Sequence, residues 1–286
     1  MSDTHFDPAV FKAQQREQWS NVAQGWRRRW ASFEQGAQPL SDRMMYLAHV
    51  APGQRVLDVA TGIGEPAMTA ARQVGPSGSV VAIDQAPQML AVARERMQVA
   101  GIRTVEFIEG DAETTALPLD SFDAAVCRWG LMFFQDPVGT LTRLKNSLVP
   151  GGWLAAAVWS EPSRVPVISL PFSVLSREQG QPHPLPAGPN PFALSEPASL
   201  EQVLHEAGFA NVHSEPFTVT FEFASVDELL GYLGDVSAPI HMIMATSSPE
   251  YQAEFWKKLA DAAVPFTDAD GMLRLSNACL IGAGQR

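Results

Sequence analysis

The sequence predicts an α/β fold, a mostly parallel sheet with helices on both faces, and three observations carry that expectation. The apolar run Val56-Leu57-Asp58-Val59 ends in the small-residue turn Ala60-Thr61-Gly62-Ile63-Gly64, and a helical pattern follows. A second apolar run, Ser79-Val80-Val81-Ala82-Ile83, stops at Asp84, about 20 residues beyond the glycine turn. A further helical pattern then leads through Pro150-Gly151-Gly152 into the run Trp153 to Val158, repeating the alternation of helix and strand.

Taken in order, residues 8–32 read as a helix with Trp19, Val22, Ala23, Trp26 and Trp30 on one face, either packed on the domain edge or serving as a lid. Arg27-Arg28-Arg29 points away from that stripe and reads as a solvated face. Leu40 to Val50 reads as a second helix, joined to the first strand through Pro52-Gly53. In the turn, Gly62 and Gly64 let the backbone bend and approach a ligand, and free N–H groups are expected at the strand's carboxyl end. Alanine at position 60 argues against a positive φ there, and Pro66 suits the first turn of the next helix.

Asp84 is placed to accept hydrogen bonds from ribose hydroxyls. A helix follows from Pro87 to about Ala100, with Met89, Leu90, Ala93 and Met97 inward and Gly101 closing it. A third strand, Thr104 to Ile108, leads into Glu109-Gly110-Asp111-Ala112-Glu113. The strand Ala124 to Cys127 brings Arg128-Trp129-Gly130 to its carboxyl end, where Trp129, Leu131, Met132, Phe133 and Phe134 form an apolar wall. Asp136 caps the next helix, whose inward face carries Val138, Leu141, Leu144 and Leu148.

Proline recurs from residue 161 to 197, so regular structure is not expected through 180–192, and this stretch is either a stiff cover or a solvated insertion. Ser199-x-x-Gln202 reads as a capping box opening a helix that Gly208 ends, and Val212 to Phe223 reads as a strand. Residues 226–264 look helical and interrupted, and Leu273 to Gly282 reads as the last strand. Within the helical part, the run Pro239 to Met244 is either a cap on an acceptor pocket or core, and His241 is the histidine proposed as a base.

At 286 residues with 46% hydrophobic content, the chain has ample core for one domain with additions. A formal charge of −11 argues against a nucleic-acid partner and favours a small-molecule acceptor. Cys127 and Cys279 are too few for a disulfide framework or a cysteine metal site, so core thiols and no metal are expected. No apolar run reaches membrane-spanning length and the first residues lack a secretory pattern, so a cytoplasmic protein without membrane insertion is expected, its subunit number left open.

Asp58-x-Ala60-x-Gly62-x-Gly64 resembles the first motif of the class I S-adenosylmethionine-dependent methyltransferases, with alanine where that family has its first glycine. Leu117-Pro118-Leu119-Asp120-Ser121-Phe122-Asp123 and the strand after it resemble the family's fourth-strand region, and the likeness runs over about residues 40–160. Within the family the chain is similar to the ubiquinone and menaquinone biosynthesis methyltransferases. The resemblance implies a Rossmann-like seven-stranded sheet with one antiparallel strand. It divides the chain into an N-terminal helical lid (1–39), a cofactor-binding core (40–160), a proline-rich loop with late sheet elements (161–225), a helical cap insertion (226–270) and a last strand (271–286). The implied cofactor is S-adenosylmethionine, leaving S-adenosylhomocysteine as product. It would be held by Asp58, Ala60, Gly62, Gly64, Asp84, Gln85, Met89, Asp111, Ala112 and Arg128. Trp19, Trp26, Trp129, Met132 and Phe133 would face a small apolar or aromatic acceptor, methylated by in-line displacement.

Two other readings stay open on the residues. Gly62-x-Gly64-x-x-Ala67 with Asp84 also fits a nicotinamide-dependent oxidoreductase, although no Tyr-x-x-x-Lys pair follows the fifth strand. A non-catalytic S-adenosylmethionine-binding protein would keep the same turn. Against the first, a carboxylate at Asp58 suits a sulfonium better than a pyrophosphate.

Overall fold

A computed structural model describes residues 7–179 and 189–286. The chain opens with helix α1 (Pro8–Leu47), then alternates through β1 (Arg55–Val59), α2 (Ala67–Val74), β2 (Ser79–Asp84), α3 (Pro87–Val99), β3 (Val105–Glu109), β4 (Phe122–Arg128), α4 (Pro137–Ser147) and β5 (Leu148–Trp159). After α5 (Pro166–Gln179) come α6 (Pro197–Glu206), β6 (Ala210–Phe223), α7 (Val226–Val236), α8 (Ala238–Thr246), α9 (Pro249–Ala263) and β7 (Leu273–Gln285).

The sheet has seven strands in the order β3-β2-β1-β4-β5-β7-β6. Leu57 of β1 pairs with Val81 of β2 on one side and Ala125 of β4 on the other, all parallel. β7 alone runs antiparallel, to both β5 and β6. This is the Rossmann-like sheet expected, with the order reversing between β1 and β4, where open α/β sheets take ligands. Helices cover both faces. Gly282 and Gly284 of β7 lie under Leu200 of α6 and Phe209, whereas Asn277, of opposite parity, accepts Val167 N–H at the start of α5. Val56, Leu57, Val59, Ala124, Ala125 and Val126 are fully buried, as strands covered on both faces must be.

The largest departure from expectation is α1, one helix of 40 residues where two were expected. At about 1.5 Å per residue it is roughly 60 Å long, enough to cross the whole sheet. Pro39 does not end it, although proline removes one intrahelical donor, because Ala37, Leu40, Met44 and Met45 around it are buried in the core. Arg27, Arg28 and Arg29 are not simply solvated. Arg27 pairs with Glu95 of α3, and Arg28 and Arg29 both pair with Asp235 of α7, so the run ties α1 to two helices. Trp30 leaves the stripe and lies half-exposed under the Arg96 guanidinium, 4.4 Å from the ring centre.

Smaller corrections have local causes. Helix α6 starts at Pro197 with Glu196 before it, so Ser199 and Gln202 are interior and form no capping box; Gln202 instead bonds Glu206 one turn on. Helix α5, for which no element was read, lies before 180; Pro166 sits at its start, where a missing N–H costs nothing, and Pro171 lies inside it. The expectation for 180–192 falls outside the described residues over 180–188, and 189–194 is bend and turn. Strand β5 begins at Leu148 and β7 continues to Gln285, both longer than expected. Asp136 caps α4 as expected, accepting Gly139 N–H at 2.8 Å. Among the described residues no helix is long and apolar enough to cross a membrane.

Two glycines let α1 sit so close. A Cβ at Gly25 would lie 1.7 Å from the Asp235 carbonyl oxygen of α7, and one at Gly36 would lie 2.3 Å from the Thr220 carbonyl oxygen of β6. Gly25→Ala in an unhindered helix should stabilise by about 1 kcal/mol. Here the backbone clash should reverse the sign, costing about 1–3 kcal/mol in a denaturant melt. A variant as stable as the parent would show that α1 does not hold this position.

Candidate functional site

A cavity lies at the carboxyl ends of the parallel strands beneath α1, lined by the glycine turn, the ends of β2 and β4, the loop after β3 and one face of α1. The glycine turn is held from within. Thr61 N–H donates to Ile83 O at 3.0 Å, Gly62 N–H to Asp84 Oδ2 at 2.7 Å, Gly64 N–H to Thr61 O at 2.9 Å and Ala67 N–H to Asp58 Oδ2 at 2.8 Å. Four of the N–H groups expected there are therefore spent inside the protein, while no bond is made by the N–H of Ile63 or Glu65, both in the lining. Pro66 precedes α2 as its cap, and the helix proper begins at Ala67.

Ala60, against expectation, adopts φ +58°, and Trp129 at the end of β4 has the same value. Both are conformations that favour glycine. Gly130 accommodates the pair: a Cβ there would lie 2.6 Å from the Ala60 Cβ. Gly62 (φ +55°) has open space beside it and lines the cavity, whereas Gly64 (φ +96°) faces Ala93 and Met97 of α3 and does not. Gly64 thus serves helix packing, since a side chain there would press on α3.

Asp58 is fully buried beneath the turn and does not line the cavity. Burial pushes its carboxyl up to about 7, against the pull of the Thr61 hydroxyl, the Arg128 guanidinium and Ala67 N–H. Asp84 does line the cavity; loss of water pushes its carboxyl upward, opposed by N–H groups of Ala86 (2.8 Å) and Gly62. Gln85, Met89, Ala112 and Asp111 join it there. Asp111 and Glu113 share Lys12 from the first turns of α1, and Arg16 one turn later pairs with Glu109. Burial pushes both cysteine thiols up to about 12, so they are inert core groups.

Arg128 reaches the cavity wall, but its guanidinium is committed. Nη1 and Nη2 donate to the two Glu34 carboxylate oxygens at 2.8 and 2.5 Å, and Nη1 also donates to Ser41 Oγ at 2.8 Å. Burial works against this charge, yet Glu34 more than compensates and holds the guanidinium above its usual value. Glu65 also lines the cavity; burial first and the nearby Glu34 second push its carboxyl upward.

The apolar wall is aromatic. Trp129 stacks on Trp159 at 4.3 Å and meets Phe33 edge-on at 5.4 Å, Phe33 meets Trp26 at 4.8 Å, and Trp19 meets Phe133 at 6.0 Å. Trp19, Trp26, Trp129 and Phe133 all line the cavity. Met132 does not; it is buried behind the wall. His241 is exposed on α8 and absent from the lining, and so is the rest of the run Pro239 to Met244, so neither a base nor a cap comes from there. Sequence reasoning missed Phe11, Lys12, Phe33, Glu34 and Glu65, all in the lining. The signal for Phe11 and Phe33 was their spacing along the helix that carries Trp19 and Trp26. Among the described residues no group of histidines, cysteines and acids is placed to hold a metal.

A family described as a methyltransferase domain matches residues 56–152, from the start of β1 into β5. The match covers about a third of the chain. The aklanonic acid methyltransferase DauC of Streptomyces sp. (strain C5) is 36% identical over 117 residues, 41% of this chain and 53% of that protein. The demethylmenaquinone methyltransferase of Listeria welshimeri is 35% identical over 119 residues, 42% of this chain and 50% of that one. The chain thus spans about half the length of the curated relatives it matches. Among solved structures, the YcgJ protein of Bacillus subtilis shares the fold at a TM-score of 0.56 and 18% identity, covering 86% of this chain and 97% of that one. The matched stretch of the methyltransferase domain holds the glycine turn, Asp84, Asp111 and Arg128, while α1 lies outside it.

Two outcomes are expected. Between the ordinary 3.8 and about 7, folded Asp58 retains a proton that the unfolded chain has released, so its contribution to stability falls as pH rises through that window. Asp58→Asn keeps an oxygen for Ala67 N–H and has no such proton. Its stability relative to the parent should therefore rise by about 1–3 kcal/mol between pH 5 and pH 8 in urea melts, and a constant difference would refute the buried charge. Lys12→Met should raise amide exchange over residues 8–16 about two- to tenfold, as expected when part-exposed ion pairs hold a helix end. Unchanged exchange would mean that Lys12 does not anchor α1.

Proposed function

We propose that the protein is an S-adenosylmethionine-dependent methyltransferase that acts in the cytoplasm on a small apolar or aromatic acceptor. The observation that carries the cofactor half is the charge of the cavity. Glu34, Glu65, Asp84, Asp111 and Glu113 line it against two cations, Lys12 and Arg128, and both cations are already bound to acids. Such a wall suits a cation. It is poorly suited to a pyrophosphate, which needs free N–H groups or a free cation, since both cations in the lining are committed and four of the turn's amides are spent internally. The nicotinamide alternative is disfavoured on that ground.

The residues fit the cofactor in parts. Asp84 stands where ribose hydroxyls would be received, and Asp111 with Ala112 where the adenine edge would lie. Trp129 and Phe33 stack on Trp159 and Phe221 and already lie under the Arg128 guanidinium, 5.1 and 5.6 Å from their ring centres, so of the three rings Trp19 is the one left to offer a cation–π attraction worth about 0.5–2 kcal/mol. When bound, S-adenosylmethionine supplies a methyl group already activated by its sulfonium. What the chain adds is position: α1 roofs the cavity and excludes water, and the aromatic wall holds a flat acceptor in line, which accounts for much of the rate gain when reactants are fixed at attack distance. A base is required only for acceptors that must lose a proton.

Names of relatives support a small-molecule acceptor, since one is named for aklanonic acid and another for demethylmenaquinone. The overall charge of −11 favours the same class over nucleic acid. The test is calorimetric titration with S-adenosylhomocysteine and, separately, NAD. Micromolar binding of the former and none of the latter is expected. NAD binding alone would overturn the assignment, and tight S-adenosylhomocysteine binding without turnover across phenol, quinol, amine and activated-carbon acceptors would leave a binding protein instead.

A further inference from the structure

The acids that line the cavity are committed to partners within the protein, with one exception. Both Glu34 oxygens hold Arg128, and Asp84 accepts Ala86 N–H on Oδ1 and Gly62 N–H on Oδ2. Asp111 accepts Glu113 N–H on Oδ1 and binds Lys12 through Oδ2; Glu113 accepts the N–H groups of Gln135 and Asp136 on Oε1 and meets Lys12 through Oε2. Glu65 differs. Its Oε2 accepts the Thr69 hydroxyl at 2.8 Å, but its Oε1 accepts no hydrogen bond among the described residues. Arg96 Nη2 stands 3.7 Å from Oε1, close enough for a counter-charge and beyond hydrogen-bond reach. The Arg96 guanidinium lies behind Glu65, outside the lining, where Nη1 donates to Ile63 O at 2.7 Å.

The Glu65 side chain is only 2% exposed, yet this oxygen is not sealed. The indole nitrogens of Trp26 and Trp129 are fully covered, whereas Glu65 Oε1 keeps accessible surface on the cavity wall. A carboxylate taken this far from water ordinarily has both oxygens bonded. The partner of Oε1 is therefore a donor that enters the cavity, and a cationic one matches it best. The position of Glu65 indicates which cation. Asp84, placed to receive the ribose, is bonded to Gly62, whose open side lines the cavity, and Glu65 follows on the same turn. A cofactor whose ribose lies at Asp84 has this turn beside its amino-acid tail. The tail carries an ammonium and a carboxylate. Glu65 and Glu34 repel the carboxylate, which has instead the N–H groups of Ile63 and Glu65, both unbonded among the described residues.

We propose that Glu65 Oε1 receives the ammonium of the cofactor's amino-acid tail, which makes Glu65 a cofactor-binding residue. This rests on the S-adenosylmethionine reading above. The group that distinguishes the idea is the ammonium, so the paired probes are S-adenosylhomocysteine and its deaminated analogue, in which hydrogen replaces the ammonium and the carboxylate is kept.

Calorimetric titration of the full chain should show the deaminated analogue binding the parent about ten- to hundredfold more weakly than S-adenosylhomocysteine, as for a lost bond between charged groups. Glu65→Gln keeps an oxygen for Thr69 and removes the charge. In that variant S-adenosylhomocysteine should weaken by the same factor and the deaminated analogue change less than about threefold, so that the gap between them closes. Glu65→Asp, which keeps a charge near Arg96 and draws it back from the cavity by one methylene, should narrow the gap as well. Equal binding of both ligands by the parent would overturn the proposal and give Oε1 to the acceptor. A gap that persists in the variants would place the ammonium on another group, and equal weakening of both ligands would assign Glu65 to the packing of the turn; either result overturns the proposal. In these three cases the cofactor reading stands; if neither ligand binds the parent, the cofactor reading itself has failed.

Discussion

The buried ion pair between Arg128 and Glu34 is the constraint on which the site depends. Its side chains are 5% and 8% exposed, and the carboxylate is gripped by both arms of the guanidinium. Pairs of this kind contribute little net stability against an apolar isostere, yet breaking one leaves an uncompensated buried charge at a cost of about 3–5 kcal/mol. Its consequence here is register. Glu34 can reach Arg128 only if α1 crosses the end of β4 at that turn, and this fixes which α1 residues face the cavity on either side. Phe33 stacks on Phe221 at 5.0 Å beside the pair, and Ser41 closes it from the next turns. The close approach at Gly25 and Gly36 follows from the same placement.

The glycine turn shows a second constraint, internal hydrogen bonds on four of its N–H groups. Asp58 and Asp84 act as a pair of staples, one beneath the turn on Ala67 N–H and one beside it on Gly62 N–H. Both carboxyls are pushed upward by loss of water, so the turn is held by groups whose charge is costly in place. The positive φ at Ala60 and Trp129 adds strain where β1 and β4 end, and strained backbone gathers at ligand sites because the surrounding fold over-determines it. The turn is a rigid floor shaped in advance for what lies on it.

Much of this was legible in the sequence, and the limits are physical. Strands β1 to β5, the turn, Asp84, Asp111 and Trp129 lie in a stretch where apolar runs alternate with helical patterns, so local periodicity locates them. The continuity of α1 was hidden, because Gly25, Gly36 and Pro39 are local helix-weakening signals that tertiary packing overrides. Glu34 and Lys12 were invisible for another reason. A charged residue on a long helix reads as solvated unless its partner is known, and theirs lie 94 and 99 residues away. His241 failed in the opposite sense: its apolar neighbours suggested burial near the site, but α8 turns it to solvent. Ala60 misled because a methyl group was expected to forbid a φ that the fold imposes.

The placement of charge bears on turnover as well as binding. The cavity's five carboxylates outnumber the three cations bound to them, Lys12, Arg128 and, behind Glu65, Arg96, so the excess negative charge falls on whatever occupies the space between the turn and α1. On the proposed methyl-transfer reading, a cationic methyl donor is drawn in by that field, whereas the neutral thioether left after transfer is not. The same walls therefore hold substrate cofactor more strongly than product at the centre where charge disappears. The Trp19 ring acts in the same direction, since cation–π attraction also ends with the charge. What remains to hold the product is the adenosine and the amino-acid tail, whose charges are unchanged by the reaction. On that reading, release must wait on the contacts at Asp84 and Asp111, which lie in the cavity that α1 roofs.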